Sequence, residues 1–183
     1  TENNINVINL PANLGIGGAV QTGYKYAKYN GYEIAIQVDG DGQHNPEYID
    51  LLIDKINNGA NLCIGSRFIN KEGFQSTWLR RVGIKYFSAL IKVLTKRDIT
   101  DATSGFRACD EKIIDFFSKY YPKDYPEPET IVAAIKKKFS VMEAPLVMNE
   151  RREGESAITS INSIYYMIKV TIAMIIATIS QKD

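Results

Sequence analysis

A chain of 183 residues with 45% apolar and 23% charged side chains has the make-up of an ordinary soluble globular domain, which excludes a disordered tail, a collagen-like repeat and a helical membrane channel. Its 22 Lys and Arg against 21 Asp and Glu leave a net charge of +1, and no basic stripe interleaved with aromatics marks a nucleic-acid surface. Such a length buries roughly 70% of the unfolded chain's surface, enough for one core.

Residues 5–10 (INVINL) read as a short strand, followed by a Gly-containing loop over 11–18 and a helix from 19 to about 29 that stops at Asn30-Gly31. Residues 33–38 (EIAIQV) read as a second strand, apolar at nearly every position in the manner of a buried parallel sheet. Asn45-Pro46 is an N-cap with Pro at the first helical position, and the helix it opens closes at Asn58-Gly59. A third strand over 61–65 runs into Ser66-Arg67-Phe68, and a long helix covers about 79–94. The segment 101–107 (DATSGFR) precedes a helix near 111–118, another helix begins at Glu127-Pro128-Glu129, and 139–147 reads as a late strand. Strands alternating with helices predict an α/β fold with a mostly parallel sheet and right-handed crossovers.

The tail differs from the rest. Residues 164–179 are nearly all apolar, with Ile161, Ile164, Tyr165, Ile168, Ile172, Ile175, Ile176 and Ile179 on one helical face. The run is short for a span of about 20 residues and carries Lys169 at its centre, so the reading is an amphipathic helix over 158–183 set against a domain over 1–157. That helix packs on the domain, on a second copy or along a bilayer surface. Cys63 and Cys109 belong to no CxxC pair, which points to small buried thiols and a reducing compartment.

In open α/β sheets ligands bind beyond the carboxyl ends of the strands, and the second strand delivers Asp39 and Asp41 there. Two carboxylates at close range repel unless a cation lies beside them; Mg2+ or Mn2+ suits oxygen donors, with Gln43 able to add a neutral oxygen. A calcium loop fits worse, because His44 stands where such a loop needs Gly, and solvated turn acids are the plain alternative. Arg67 follows the third strand directly, Arg80 and Arg81 open the long helix, and Arg107 closes SGFR; guanidinium forks of this kind match phosphate oxygens. Asn13 and Gly15 lie in a strand-to-helix loop that could admit a phosphate or sugar edge, or be no more than a tight turn. His44 reads as a loop residue held by hydrogen bonds rather than as a metal ligand.

Taken together, NLGIGGAVQTGYKYA, IQVDGDGQHNPEYI, IGSRF, RR-x-G, TDATSGFRA, DYPEPE and ER-x-x-GES resemble glycosyltransferase family 2, in its branch similar to polyprenyl-phosphate sugar synthases. The resemblance covers nearly the whole chain in order. It implies a GT-A fold, a nucleotide-sugar donor, and Mg2+ or Mn2+ on Asp39, Asp41 and Gln43, with Asp41 the main ligand. It further implies an acceptor phosphate held by Arg67 and one of Arg80 or Arg81. For hydroxyl acceptors it implies a base carboxylate at Glu129, or less favourably Glu127. Family members carry a PxYNE-like loop and a DDGS-like turn ahead of the region matching Ile5, so the expected fold is N-terminally truncated, inactive as a segment and open at one strand edge. The implied setting is the cytoplasmic side, peripheral to a membrane. The competing functions are a sugar-nucleotide nucleotidyltransferase and a non-catalytic membrane-apposed or oligomer-forming module.

Overall fold

The sheet is ordered β1-β3-β2-β4, from β1 (Ile34–Gln37), β2 (Leu62–Ser66), β3 (Arg107–Asp110) and β4 (Val141–Pro145). In the computed structural model, which describes residues 5–74, 77–149 and 160–180, β3 runs antiparallel to both neighbours while β2 and β4 pair in parallel. β1, β2 and β4 therefore share one direction, and their carboxyl ends open on one rim. Among the described residues six α-helices flank the sheet: α1 (Gly15–Tyr29), α2 (Ile49–Asn57), α3 (Trp78–Thr95), α4 (Glu111–Lys119), α5 (Pro126–Lys136) and α6 (Ser160–Ser180). The α/β expectation holds, but the sheet is mixed: only the β2–β4 pair is parallel, and β1 is a half-buried edge strand paired antiparallel with β3 rather than part of a buried parallel sheet.

Strand alternation distributes the core to both faces of the sheet. Leu62, Ile64 and Cys109 point to one side, where Tyr24, Phe87, Ile91, Ile113, Phe117, Ile131 and Met174 from the helices close over them. Cys63, Ala108 and Ala144 point to the other, against Leu52 and Ile56 of α2. Both cysteines are free and buried, and burial pushes each thiol up to about 12. α6 joins the first core through Val170, Met174 and Ala177, so the tail helix shares the domain's interior. Among the described residues no helix is long and apolar enough to cross a membrane.

Two further sequence readings change. Residues 5–10 form no strand: Ile5, Val7 and Ile8 are exposed, and the segment joins none of the strands of the sheet, although β1 is paired on one side only. Conversely, β3 has no apolar run to announce it. Its four residues (RACD) end in Asp110, whose carboxylate accepts the Ile113 N–H at 2.9 Å, so the strand's last residue is also the cap of α4. The segment ER-x-x-GES lies outside the described residues.

Close approach explains Gly17 in the first turn of α1. The Gly17 N–H donates to the Lys123 carbonyl at 3.0 Å, and a methyl at Gly17 would collide with the carbonyl oxygens of Pro122 and Lys123. Helix propensity alone favours Ala over Gly by up to about 1 kcal/mol, so the sign of the substitution tests the packing. Gly17→Ala is expected to destabilise the fold by about 1–3 kcal/mol in urea unfolding; an unchanged or raised midpoint would contradict the contact.

Candidate functional site

The acid loop follows β1 and is held from within. The Asp39 N–H donates to His44 Nδ1 at 3.0 Å, which leaves the imidazole proton on Nε2, 3.8 Å from Asp39 Oδ2. The His44 ring stacks on Phe106, with centroids 4.7 Å apart and planes 12° from parallel. Burial lowers the His44 pKa, and the neighbouring acids Asp39 and Asp41 only partly oppose it. His44 is thus a buried, neutral strut under the loop, in agreement with the sequence reading. Asp41 turns its carboxylate back to accept the Gln43 N–H at 3.0 Å, an Asx turn that places Gly42 at φ +76°. Gln43 and Asn149 tie the loop to the chain beyond β4, the Asn149 N–H donating to the Gln43 carbonyl at 3.0 Å.

The opposite wall is the loop 101–107. A Cβ built on Gly105 would lie 2.8 Å from Asp39 Oδ2, so the absence of a side chain there lets the carboxylate sit against the backbone. Asp101 is fully buried and receives Arg67 in a two-pronged pair, Nε to Oδ2 at 2.7 Å and one terminal nitrogen to Oδ1 at 2.8 Å. Glu143 on β4 accepts the N–H groups of Thr100 (2.8 Å) and Asp101 (2.9 Å). Arg107 is completely buried as well, with Nε on the Ser104 carbonyl, one terminal nitrogen on Thr130 Oγ1 and the other on the Glu127 carbonyl. Both arginines singled out at strand ends therefore have partners inside the protein: Arg67 braces the loop, and Arg107 joins it to the first turn of α5.

The two α5 carboxylates face different ways. Glu129 accepts the Tyr120 hydroxyl and lines a small pocket with Asp124 and Lys169. Glu127 is recessed on the rim side, within electrostatic reach of Arg107 and Asp39; burial raises its pKa, Arg107 lowers it, and Asp39 adds to the rise. Tyr166 of α6 packs against Tyr125 and lies within electrostatic reach of Glu127 and Arg80. Arg80 is exposed and Arg81 half-buried, one turn inside that helix. Asn13 caps its own turn, its Oδ1 accepting the Gly15 N–H at 2.9 Å, next to the Gly17–Lys123 contact. The structure sets Asp39, Asp41 and Gln43 on one loop, joins Arg107 to the Glu127 carbonyl, and places Glu129 with Tyr120.

Two carboxylates with hard oxygen donors at the open end of β1 suit a divalent cation that takes its remaining ligands from a phosphate group and water. Among the described residues no set of three His, Cys, Asp or Glu side chains is gathered to hold a metal unaided. Sequence reasoning does not single out Asp101, Gly105 and Glu143 as supports of the rim. The one available signal is an Asp inside a Gly-containing loop beside strand-end arginines.

A mixed sheet with an acid loop at a strand end and Gly105 facing it is the arrangement of an α/β domain that binds its ligand beyond the strand ends. Residues 1–117 match Glycosyl transferase family 2, and the chain belongs to that family. It is 30% identical over 170 residues to a polyprenol monophosphomannose synthase of Mycolicibacterium smegmatis, covering 91% of this chain and 64% of the relative. It is 33% identical to a UDP-N-acetylglucosamine–dolichyl-phosphate N-acetylglucosaminyltransferase of Methanococcus voltae, over 73% of this chain and 55% of that one. A dolichol-phosphate mannosyltransferase of Pyrococcus furiosus is 32% identical over 83% of this chain and 43% of its own. The chain thus spans less than two thirds of the length of these relatives.

Two outcomes are expected from this geometry. Asp101→Asn, which leaves Arg67 facing a neutral amide inside the protein, should cost about 3–5 kcal/mol of stability by denaturant unfolding. His44 is harder to protonate folded than unfolded, so the unfolded chain binds the extra proton as pH falls through about 6.5, and the native state loses stability there. Urea unfolding between pH 8 and pH 5 should therefore show a steeper decline for the wild type than for His44→Gln; parallel curves would contradict the buried neutral imidazole.

Proposed function

We propose that this domain serves a metal-dependent, inverting transfer of a sugar from a nucleotide-diphosphate sugar to a polyprenyl phosphate. The observation that carries the reading is the acid pair Asp39 and Asp41, presented at the open end of β1 and held there by His44 beneath and Gly105 opposite. The names of the relatives support the acceptor class, since they describe transfer to polyprenol or dolichyl phosphate. In this reading Asp39 and Asp41, with Gln43 beside them, hold Mg2+ or Mn2+. When bound, the ion neutralises charge on the diphosphate that leaves.

The acceptor's phosphate oxygen forms the new bond to the anomeric carbon as the bond from that carbon to the diphosphate breaks, so the nucleoside diphosphate departs with the electron pair. An acceptor that is already anionic needs no base. Arg80 and Arg81, at the start of α3, are the arginines we assign to the incoming phosphate. Arg67 keeps the loop of Gly105 in place through Asp101, and Arg107 keeps the first turn of α5 against the same loop. Fixed donors and acceptors around the departing charge are the main source of rate in such sites, which gives the buried braces a catalytic consequence without contact to substrate.

Glu127 supports a second reading, transfer to a hydroxyl. It is a recessed carboxylate with a raised pKa, on the same side as Asp39, as a general base requires.

In the native enzyme, Asp41→Ala is expected to abolish metal-dependent transfer, with a loss of at least about 10³-fold in kcat; activity within a few-fold of wild type would overturn the metal assignment. The acceptor classes separate on Glu127→Gln. With a polyprenyl phosphate the rate should change only a few-fold, whereas a hydroxyl acceptor should lose about 10²–10⁴-fold.

A further inference from the structure

β1 ends on a side chain that its own alternation does not call for. Ile34 and Ile36 turn to the core layered with α2, Ala35 turns to the core closed by α4 and α5, and position 37 returns to that second side. An apolar residue there would extend the core, but the chain carries Gln37. It is half-buried, and its Oε1 accepts the Tyr121 hydroxyl at 3.4 Å. Among the described residues Gln37 Nε2 has no hydrogen-bond partner, and no buried side-chain nitrogen or oxygen goes without one. Nε2 is therefore not sealed inside the protein: it presents its two N–H donors at the open end of β1.

Tyr121 holds the amide in that orientation. Its ring packs edge-on against Phe117, with centroids 5.3 Å apart, and tilted against Tyr24 at 5.5 Å. Burial pushes the phenol above its ordinary value, so the proton stays on the hydroxyl and is donated to Gln37. The hydroxyl lies within electrostatic reach of Arg107, Glu127 and Asp39. Gln37 is the register partner of Arg107, whose guanidinium holds the Glu127 carbonyl, and it stands two residues before Asp39. Contacts therefore run from the acid loop through Gln37 and Arg107 to the first turn of α5. Chemistry narrows what the free donors meet. A phosphate is served better by cations, because charge-assisted hydrogen bonds are roughly twice as strong as neutral ones. A neutral amide suits a neutral oxygen, and beside a metal-bound diphosphate at Asp39 the neutral oxygens are the hydroxyls of the sugar that it carries.

We propose that Gln37 is a specificity-determining residue for the transferred sugar: its Nε2 donates to one ring hydroxyl, and Tyr121 is a positioning residue that acts by holding Oε1. The assignment rests on the proposed transfer from a nucleotide-diphosphate sugar and adds to it the side chain that recognises the sugar.

The native enzyme is assayed with a panel of GDP-, UDP- and dTDP-hexoses, and the preferred donor is compared with analogues that each lack one ring hydroxyl. Gln37→Met, close in shape and without donors, should lower kcat/KM for the complete donor by about 10–10²-fold while leaving one analogue within a few-fold of its wild-type value. Tyr121→Phe, which removes only the hydroxyl and keeps the ring between Tyr24 and Phe117, should move the same ratio in the same direction by a smaller factor. Inhibition by the free nucleoside diphosphate should be equal in wild type and both variants, which separates a lost sugar contact from a distorted rim. A uniform loss across the complete donor and all its analogues, or no loss with Gln37→Met, would overturn the proposal and leave the transfer reading intact. Absence of transfer from the whole panel by the wild type would overturn the transfer reading, and the assignment of Gln37 with it.

Discussion

The rim of this domain hangs on the carboxylate of Asp101, which is sealed from water and takes both prongs of Arg67. A buried charge pair of this sort contributes little net stability but is costly to break, because either partner left alone is a desolvated ion. That asymmetry makes it a positional constraint. Glu143 holds the backbone N–H of the same residue from β4, so the ends of β2 and β4 and the loop between α3 and β3 are locked to one point. Gly105, four residues on, is thereby set against Asp39, and Arg107 is set to grip the first turn of α5. If the point moved, the acid loop would lose its facing wall and α5 its anchor together.

Arginines play two roles in this arrangement, sorted by burial. Arg67 and Arg107 spend their donors on Asp101, Ser104, Thr130 and the Glu127 carbonyl, and act as struts. Arg80 and Arg81 lie at the start of a helix on the outer side. A guanidinium suits both tasks, being always charged and presenting donors in a rigid fork. Braces that are satisfied inside the protein hold the loop geometry without help from a ligand. His44 follows the same logic on the other wall: its neutral ring, stacked on Phe106, supports Asp39 from beneath without adding a cation that would compete for the carboxylate.

Much of this was legible from local patterns. Asn45-Pro46 opens a short 3-10 turn that runs into α2, Asn58-Gly59 ends that helix, and the acid loop sits at the end of a strand because an apolar run precedes it. Pairwise contacts between distant residues were not legible. Arg67 lies 34 positions from Asp101, and Arg107 lies 23 from Thr130, so nothing in the local sequence distinguishes a brace from a free phosphate clamp. The segment 5–10 is rich in Ile, Val and Leu like a strand, yet a strand exists only where a neighbour completes its ladder. β3 is the reverse case: a short polar-ended tetrapeptide made into a strand by the partners on either side of it. The orientation of Glu127 and Glu129, two residues apart on the first turn of α5, likewise follows from the helix's rotation against Arg107 and Tyr120.

Cys63 and Cys109 lie inside opposite layers of the core, and neither ionises near neutral pH. Thiol-directed reagents act on the thiolate and need access to it, so the folded chain offers them almost no native target. A cysteine introduced at an outward position can therefore carry a spin label or fluorophore selectively, with the two native sulfurs left in place to preserve the interior.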